Sequence, residues 1–185
     1  MTGGDVLPEE AFAARARAIE WILLDVDGVL TDGRLIFGPA GEQWKVFDVR
    51  DGAGIKIAQR SGIKVGILSG RKNDALRVRA EELGLDAVLM GRPEKRAAFA
   101  DFLSQVETSP DKVAYIGDDL LDLPVIVRCG LSFAPADAAC DVRERVHRVL
   151  QHRGGRGAVR ELCELLVRAR GGWEPLVASL SSTSG

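Results

Sequence analysis

Short, almost wholly apolar runs alternate along this chain with longer helix-patterned stretches, and the runs end abruptly in glycine or polar turns. Trp21-Ile22-Leu23-Leu24, residues 63–68, residues 87–90 and Val113-Ala114-Tyr115-Ile116 are too short for helices. They are also too uniformly apolar for strands with one wet face, so they read as strands buried on both faces of a parallel sheet. Helix patterns fill the gaps, from near Asp51, over 73–83 and from Pro93 to about Leu103. Repeated strand–helix units predict an α/β fold: a doubly wound, Rossmann-like parallel sheet with helices on both faces.

Residues 131–134 and 146–150 are weaker strand candidates, and 157–169 reads as a helix. Residues 34–37 and 44–47, separated by Gly38-Pro39-Ala40-Gly41, read as a β-hairpin inserted after the first strand. The hairpin, a helix and a strand use most of the chain between Asp27 and Ser69, which leaves no room for a cap domain. The chain divides into an N-terminal helix or extension (1–18), one α/β domain (19–170) and a flexible C-terminal tail (171–185).

In open α/β sheets ligands bind beyond the carboxyl ends of the strands. The polar residues there are Asp25 with Asp27, Ser69 with Arg71, Lys95 at the start of its helix, and Asp118 with Asp119. Each has a bland reading as turn, cap or solvated charge. Their joint occurrence at successive strand ends favours a site. While the backbone stays extended, Asp25 and Asp27 present their carboxylates to the same side, so one can attack a phosphoryl group and the other handle protons. Several carboxylates would repel a phosphate dianion unless a cation intervened, and an all-oxygen set containing Asp25 and Asp118 suits Mg2+. Lys95 would add a fixed positive charge and Ser69 a hydroxyl donor for the phosphoryl oxygens. Arg71, near the mouth, could grip a substrate carboxylate bidentately.

A net charge of −2 offers no basic field for nucleic acid or an acidic membrane surface, and no apolar stretch near the start is long enough to span a membrane. The expected partner is a small molecule and the expected location cytoplasmic. The three cysteines lack CxxC spacing, and His147 and His152 have no partner pattern.

Asp25-Val26-Asp27-Gly28-Val29-Leu30-Thr31-Asp32-Gly33 resembles the first motif of haloacid dehalogenase-like phosphatases, and Ile67-Leu68-Ser69-Gly70-Arg71, Lys95 and Gly117-Asp118-Asp119-Leu120-Leu121-Asp122 resemble the other three. The resemblance implies Asp25 as nucleophile, Asp27 as acid/base, and the backbone carbonyl of Asp27 as a further metal ligand. It is closest to the 3-deoxy-D-manno-octulosonate 8-phosphate phosphatase family, through Phe47-Asp48-Val49-Arg50-Asp51-Gly52, Arg71 and Gly154-Gly155-Arg156-Gly157-Ala158-Val159-Arg160-Glu161. This implies substrate contacts from Asp48, Val49, Arg50, Asp51, Gly52, Lys56, Arg71 and Arg79. It also implies a cap-less homotetramer built on the hairpin, whose tail can cover a neighbour's site. Two positions depart from the pattern: Asp48 stands where asparagine is common, and Lys56 where arginine is expected. A nine-carbon keto acid 9-phosphate of the sialic acid type is the alternative substrate, and a non-catalytic binding module the alternative from another class.

Overall fold

The computed structural model describes residues 7–41 and 43–182; the first six residues of the N-terminal extension, Glu42 in the hairpin and the last three residues of the tail lie outside the described residues. The main sheet is formed by β1 (Trp21–Leu24), β4 (Lys64–Leu68), β5 (Ala87–Leu89), β6 (Val113–Ile116), β7 (Leu131–Ala134) and β8 (Arg148–Val149), in the order β5-β4-β1-β6-β7-β8. Every neighbouring pair is parallel. After β1 the chain builds outward through β4 and β5, then returns to the other side of β1 with β6. The switch point therefore falls at the carboxyl end of β1, between β4 and β6.

Alternate residues of the strands feed two cores. Ile22, Leu24, Val65, Ile67, Ala114 and Ile116 face α1 (Glu9–Ala18), α2 (Val49–Arg60), α3 (Asp74–Leu83) and α7 (Ala158–Ala169). Trp21, Leu23, Leu68, Val113 and Tyr115 face the other way, against α4 (Lys95–Gln105), α5 (Leu123–Ile126) and α6 (Cys140–Arg143). Burial on both faces explains why the sequence shows continuous apolar runs instead of alternation.

The contact between α2 and α7 is unusually close. A Cβ on Gly54 would sit 2.7 Å from Arg160 Cα, so only glycine lets the two backbones approach this far. Asp51, 1% exposed, seals the same contact by accepting the N–H groups of Gly157 (3.2 Å) and Arg160 (2.9 Å) at the α7 N-terminus. His147 is a structural tether: it bonds Ser132 in β7 and Arg15 in α1.

The hairpin forms, shorter than its apolar runs, as β2 (Ile36–Phe37) paired antiparallel with β3 (Gln43–Trp44). Its outer side chains stay exposed, with Phe37 at 59%, Trp44 at 57% and Val46 at 67%. No cap domain interrupts the described residues. The C-terminus differs from expectation, because a helix, α8 (Trp173–Ser182), occupies most of the segment read as a flexible tail. Trp173 anchors it to α7, with the Arg168 guanidinium 4.2 Å from its ring centroid. No described helix is long and apolar enough to cross a membrane.

Replacing Gly54 with alanine sets a helix-propensity gain of about 0.5–1 kcal/mol against overpacking of about 1–3 kcal/mol. The obstructing atom is backbone and cannot swing aside, so the clash wins. Gly54→Ala is expected to lose stability in urea denaturation; an unchanged or higher midpoint would show that α2 and α7 have room to separate.

Candidate active site

The chain leaves β1 still extended, with the Asp25 N–H bonded to the Ile116 carbonyl at 3.0 Å, and then folds back as the N–H groups of Val29, Leu30 and Thr31 gather on the Val26 carbonyl. Gly28 takes φ +92°, and a Cβ there would lie 2.0 Å from Asp118 Oδ2. Glycine is thus required for the loops after β1 and β6 to meet. Ser69, buried at the end of β4, accepts the Arg71 N–H at 3.2 Å, and Lys95 is the first residue of α4.

Lys95 Nζ donates to Asp25 Oδ1 at 2.7 Å and to Asp122 Oδ1, and lies 3.3 Å from the Tyr115 hydroxyl. Asp122 is fully engaged, because its second oxygen accepts the N–H groups of Asp118 (3.0 Å) and Asp119 (3.2 Å). Asp122 therefore holds both the lysine and the β6 loop, while Asp25 and Asp118 remain to bind other groups. Asp27 is bonded by Lys45 of the hairpin, and Arg71 stands 3.8 Å from its other oxygen.

Asp25, Asp27, Ser69, Arg71, Lys95, Asp118 and Asp122 thus line one open cleft of ≈ 470 Å³. Within a single chain Asp48, Val49, Arg50, Asp51, Gly52, Lys56 and Arg79 do not line it. Asp48 caps α2 through the Arg50 N–H and pairs with the Arg50 side chain. Its carboxyl is held below the usual range by that arginine. Val49 is exposed, Asp51 caps α7, and Gly52 lies under the Arg79 guanidinium, which also pairs with Glu82. Lys56 bonds the Leu83 carbonyl at the end of α3.

Asp122 and Lys45 stand out by neither motif role nor spacing in the sequence. Asp122 is visible in the sequence only as the last acid of Gly117-Asp118-Asp119-Leu120-Leu121-Asp122. Lys45 carries a weak signal, a lone charge between the apolar Trp44 and Val46.

Oxygens of Asp25, Asp118 and Asp122 lie within 4.8 Å of one another. Burial, with the Asp122 charge next, lifts the Asp25 carboxyl to about 6 against the pull of Lys95. Burial and the charges of Asp25 and Asp122 lift Asp118 to about 8. For Lys95, burial works against its charge, but the two carboxylates outweigh it and its pKa rises. One ammonium among three crowded carboxylates leaves a surplus of negative charge, and an all-oxygen donor set with that surplus fits a hard divalent cation such as Mg2+.

No protein-family model matches the chain. A solved structure from Legionella pneumophila, assigned to subfamily III A of the HAD superfamily, superimposes with a TM-score of 0.89 at 36% identity, covering 95% of this chain and 96% of that one. The fold is that of the haloacid dehalogenase-like hydrolases. The Escherichia coli K12 protein 3-deoxy-D-manno-octulosonate 8-phosphate phosphatase KdsC is 46% identical over 158 residues, 85% of this chain and 84% of that protein. At that level of likeness the chain belongs to the 3-deoxy-D-manno-octulosonate 8-phosphate phosphatase family, whose members are phosphoric monoester hydrolases. The Moraxella catarrhalis phosphatase of that name, solved with a magnesium ion, a phosphate ion and KDO, matches with a TM-score of 0.90 at 32% identity, covering 94% of this chain and 99% of that one.

The raised carboxyls have a consequence for stability. In the metal-free fold Asp25 and Asp118 hold protons that the unfolded chain releases near pH 3.8, so their contribution favours folding at acid pH. It is lost as pH rises through about 6 and about 8. Asn at position 118 removes that repulsion. In EDTA, the Tm of Asp118→Asn minus that of the unsubstituted protein is therefore expected to grow more positive from about pH 4 to about pH 8, and saturating magnesium should shrink the difference by stabilising only the unsubstituted site. A difference independent of pH would overturn the crowding argument.

Proposed function

We propose that this protein hydrolyses 3-deoxy-D-manno-octulosonate 8-phosphate to the free sugar acid and inorganic phosphate, with magnesium as cofactor and Asp25 as covalent nucleophile. The observation that carries the mechanism is the Asp25 carboxylate, 6% exposed at the switch point and fixed by Lys95 at 2.7 Å. Identity of 46% to the E. coli enzyme, and the ligands named in the Moraxella structure, support the substrate.

Phosphoryl transfer asks mainly for an in-line nucleophile, charge neutralisation and a protonated leaving group. Lys95 anchors one Asp25 oxygen and orients the carboxylate. Attack on phosphorus forms an aspartyl phosphate and breaks the bond to the sugar oxygen, to which Asp27 gives a proton; Asp27 then takes a proton from the water that attacks the aspartyl phosphate. Ser69 and Lys95 donate to phosphoryl oxygens as charge shifts among them. A magnesium ion held by Asp25, Asp118 and the Asp27 carbonyl would supply the positive charge that lets a phosphate dianion approach. Arg71, half-exposed at the mouth, meets the sugar-acid carboxylate.

The remaining substrate contacts come from a second copy in a homotetramer. Support for this lies in the open cleft and in the exposed Phe37, Trp44 and Val46, which one chain leaves uncovered. Val49 and Arg50 are the exposed part of the substrate segment, while Asp51 and Gly52 set its shape from beneath.

Purified protein should release phosphate from the eight-carbon substrate faster than from a sialic acid 9-phosphate or common sugar phosphates, and only with a divalent ion. Preference for the nine-carbon acid would move the substrate and keep the mechanism. Asp25→Asn should lose turnover on the order of 10⁴-fold or more while remaining folded by circular dichroism, and appreciable residual activity would exclude the covalent route. Phe37→Asp should reduce the sedimenting species from tetramer to smaller forms; an unchanged tetramer would place the interface elsewhere.

A further inference from the structure

We infer that Lys45 is the residue that positions the Asp27 carboxylate, and that the hairpin serves the reaction by delivering this ammonium from outside the cleft lining. The inference rests on Asp27 acting on the leaving group, as proposed above. Lys45 follows directly on β3, and its side chain is only 2% exposed although Trp44 and Val46 on either side are 57% and 67% exposed. Along Trp44-Lys45-Val46 the two apolar side chains point out and the charged one points in. Burying an ammonium is rare without a partner. Here the partner is Asp27 Oδ1, which accepts from Lys45 Nζ, while Arg71 stands beside Oδ2.

Its place outside the cleft decides the role. Lys45 is absent from the residues lining the reaction cleft and instead borders a neighbouring hollow with Phe47, Val49 and Arg79. It is thus placed to hold the orientation of the Asp27 carboxylate without itself lining the cleft where the phosphoryl group would sit. Attachment of the hairpin has a separate device: Asn73 donates to the Gln43 carbonyl at 3.2 Å while its side-chain oxygen caps α3 through the Leu76 N–H. An apolar side chain would fill this inward position without the desolvation cost of a charge. The charge is therefore explained by the carboxylate it meets.

Leaving-group dependence separates positioning from a merely structural pair. A sugar phosphate expels a poor alkoxide that needs a proton, whereas p-nitrophenyl phosphate expels a phenolate that hardly does. With the eight-carbon substrate, Lys45→Met should lower kcat about 10–100-fold, a part of the usual general-acid contribution, with KM changed little; with p-nitrophenyl phosphate the loss should be several-fold smaller. Lys45→Arg should recover much of the lost kcat, because a cation again meets Oδ1. Equal loss on both esters, a change in KM alone, or no recovery by arginine would overturn the inference. Asp27→Asn serves as reference: if it shows the leaving-group selectivity and Lys45→Met does not, the assignment to Lys45 fails while the role of Asp27 stands. If Asp27→Asn is not selective, the role of Asp27 itself fails. Should Lys45→Met not fold, Lys45→Gln, which keeps a neutral donor, carries the same comparison.

Discussion

One buried ammonium holds the centre of this molecule together. Lys95 reaches from the first residue of α4 to the aspartate that ends β1 and to Asp122 in the turn after β6. Without that cation Asp25 and Asp122 would be uncompensated charges, 6% and 1% exposed, and folding would have to neutralise them by protonation. Through Asp122 the same charge fixes the backbone of Asp118 and Asp119, and through Tyr115, whose hydroxyl is pushed well above its ordinary pKa by burial, it reaches the middle of β6. The sheet, the helix and the acidic turn are mutually placed by electrostatics as much as by apolar packing.

Most of the architecture is legible in the sequence because its central strands are buried on both faces, which leaves a nearly continuous apolar signature bounded by glycines and acids. The end of β1 shows how far such reasoning reaches. Asp25 and Asp27, two apart after an extended run, mark a site by their spacing alone. Asp122 is harder to find because its work is geometric: its oxygens accept from a lysine far away in the chain and from local backbone. The C-terminal helix escapes notice for another reason. Residues 173–182 carry few charges and several serines, and the docking of Trp173 between the arginines of α7 depends on a partner that spacing does not announce.

The hairpin joins two demands that compete for the same few residues. Its outward face is apolar and exposed, while its inward face carries Lys45 onto Asp27. Period-two geometry lets both be met by adjacent positions, so whatever covers Trp44 and Val46 also restrains Lys45.

Asp51 bears on how the protein comes to be made. Among the described residues its carboxylate finds its hydrogen-bond partners in the N–H groups of Gly157 and Arg160, more than half the chain away, and burial without them would raise its energy further. On a ribosome the residues from β1 through β7 emerge well before those partners do. The bonds that satisfy Asp51 can therefore form only after α7 has left the exit tunnel. The contact between α2 and α7 is thus completed only near the end of the domain's synthesis.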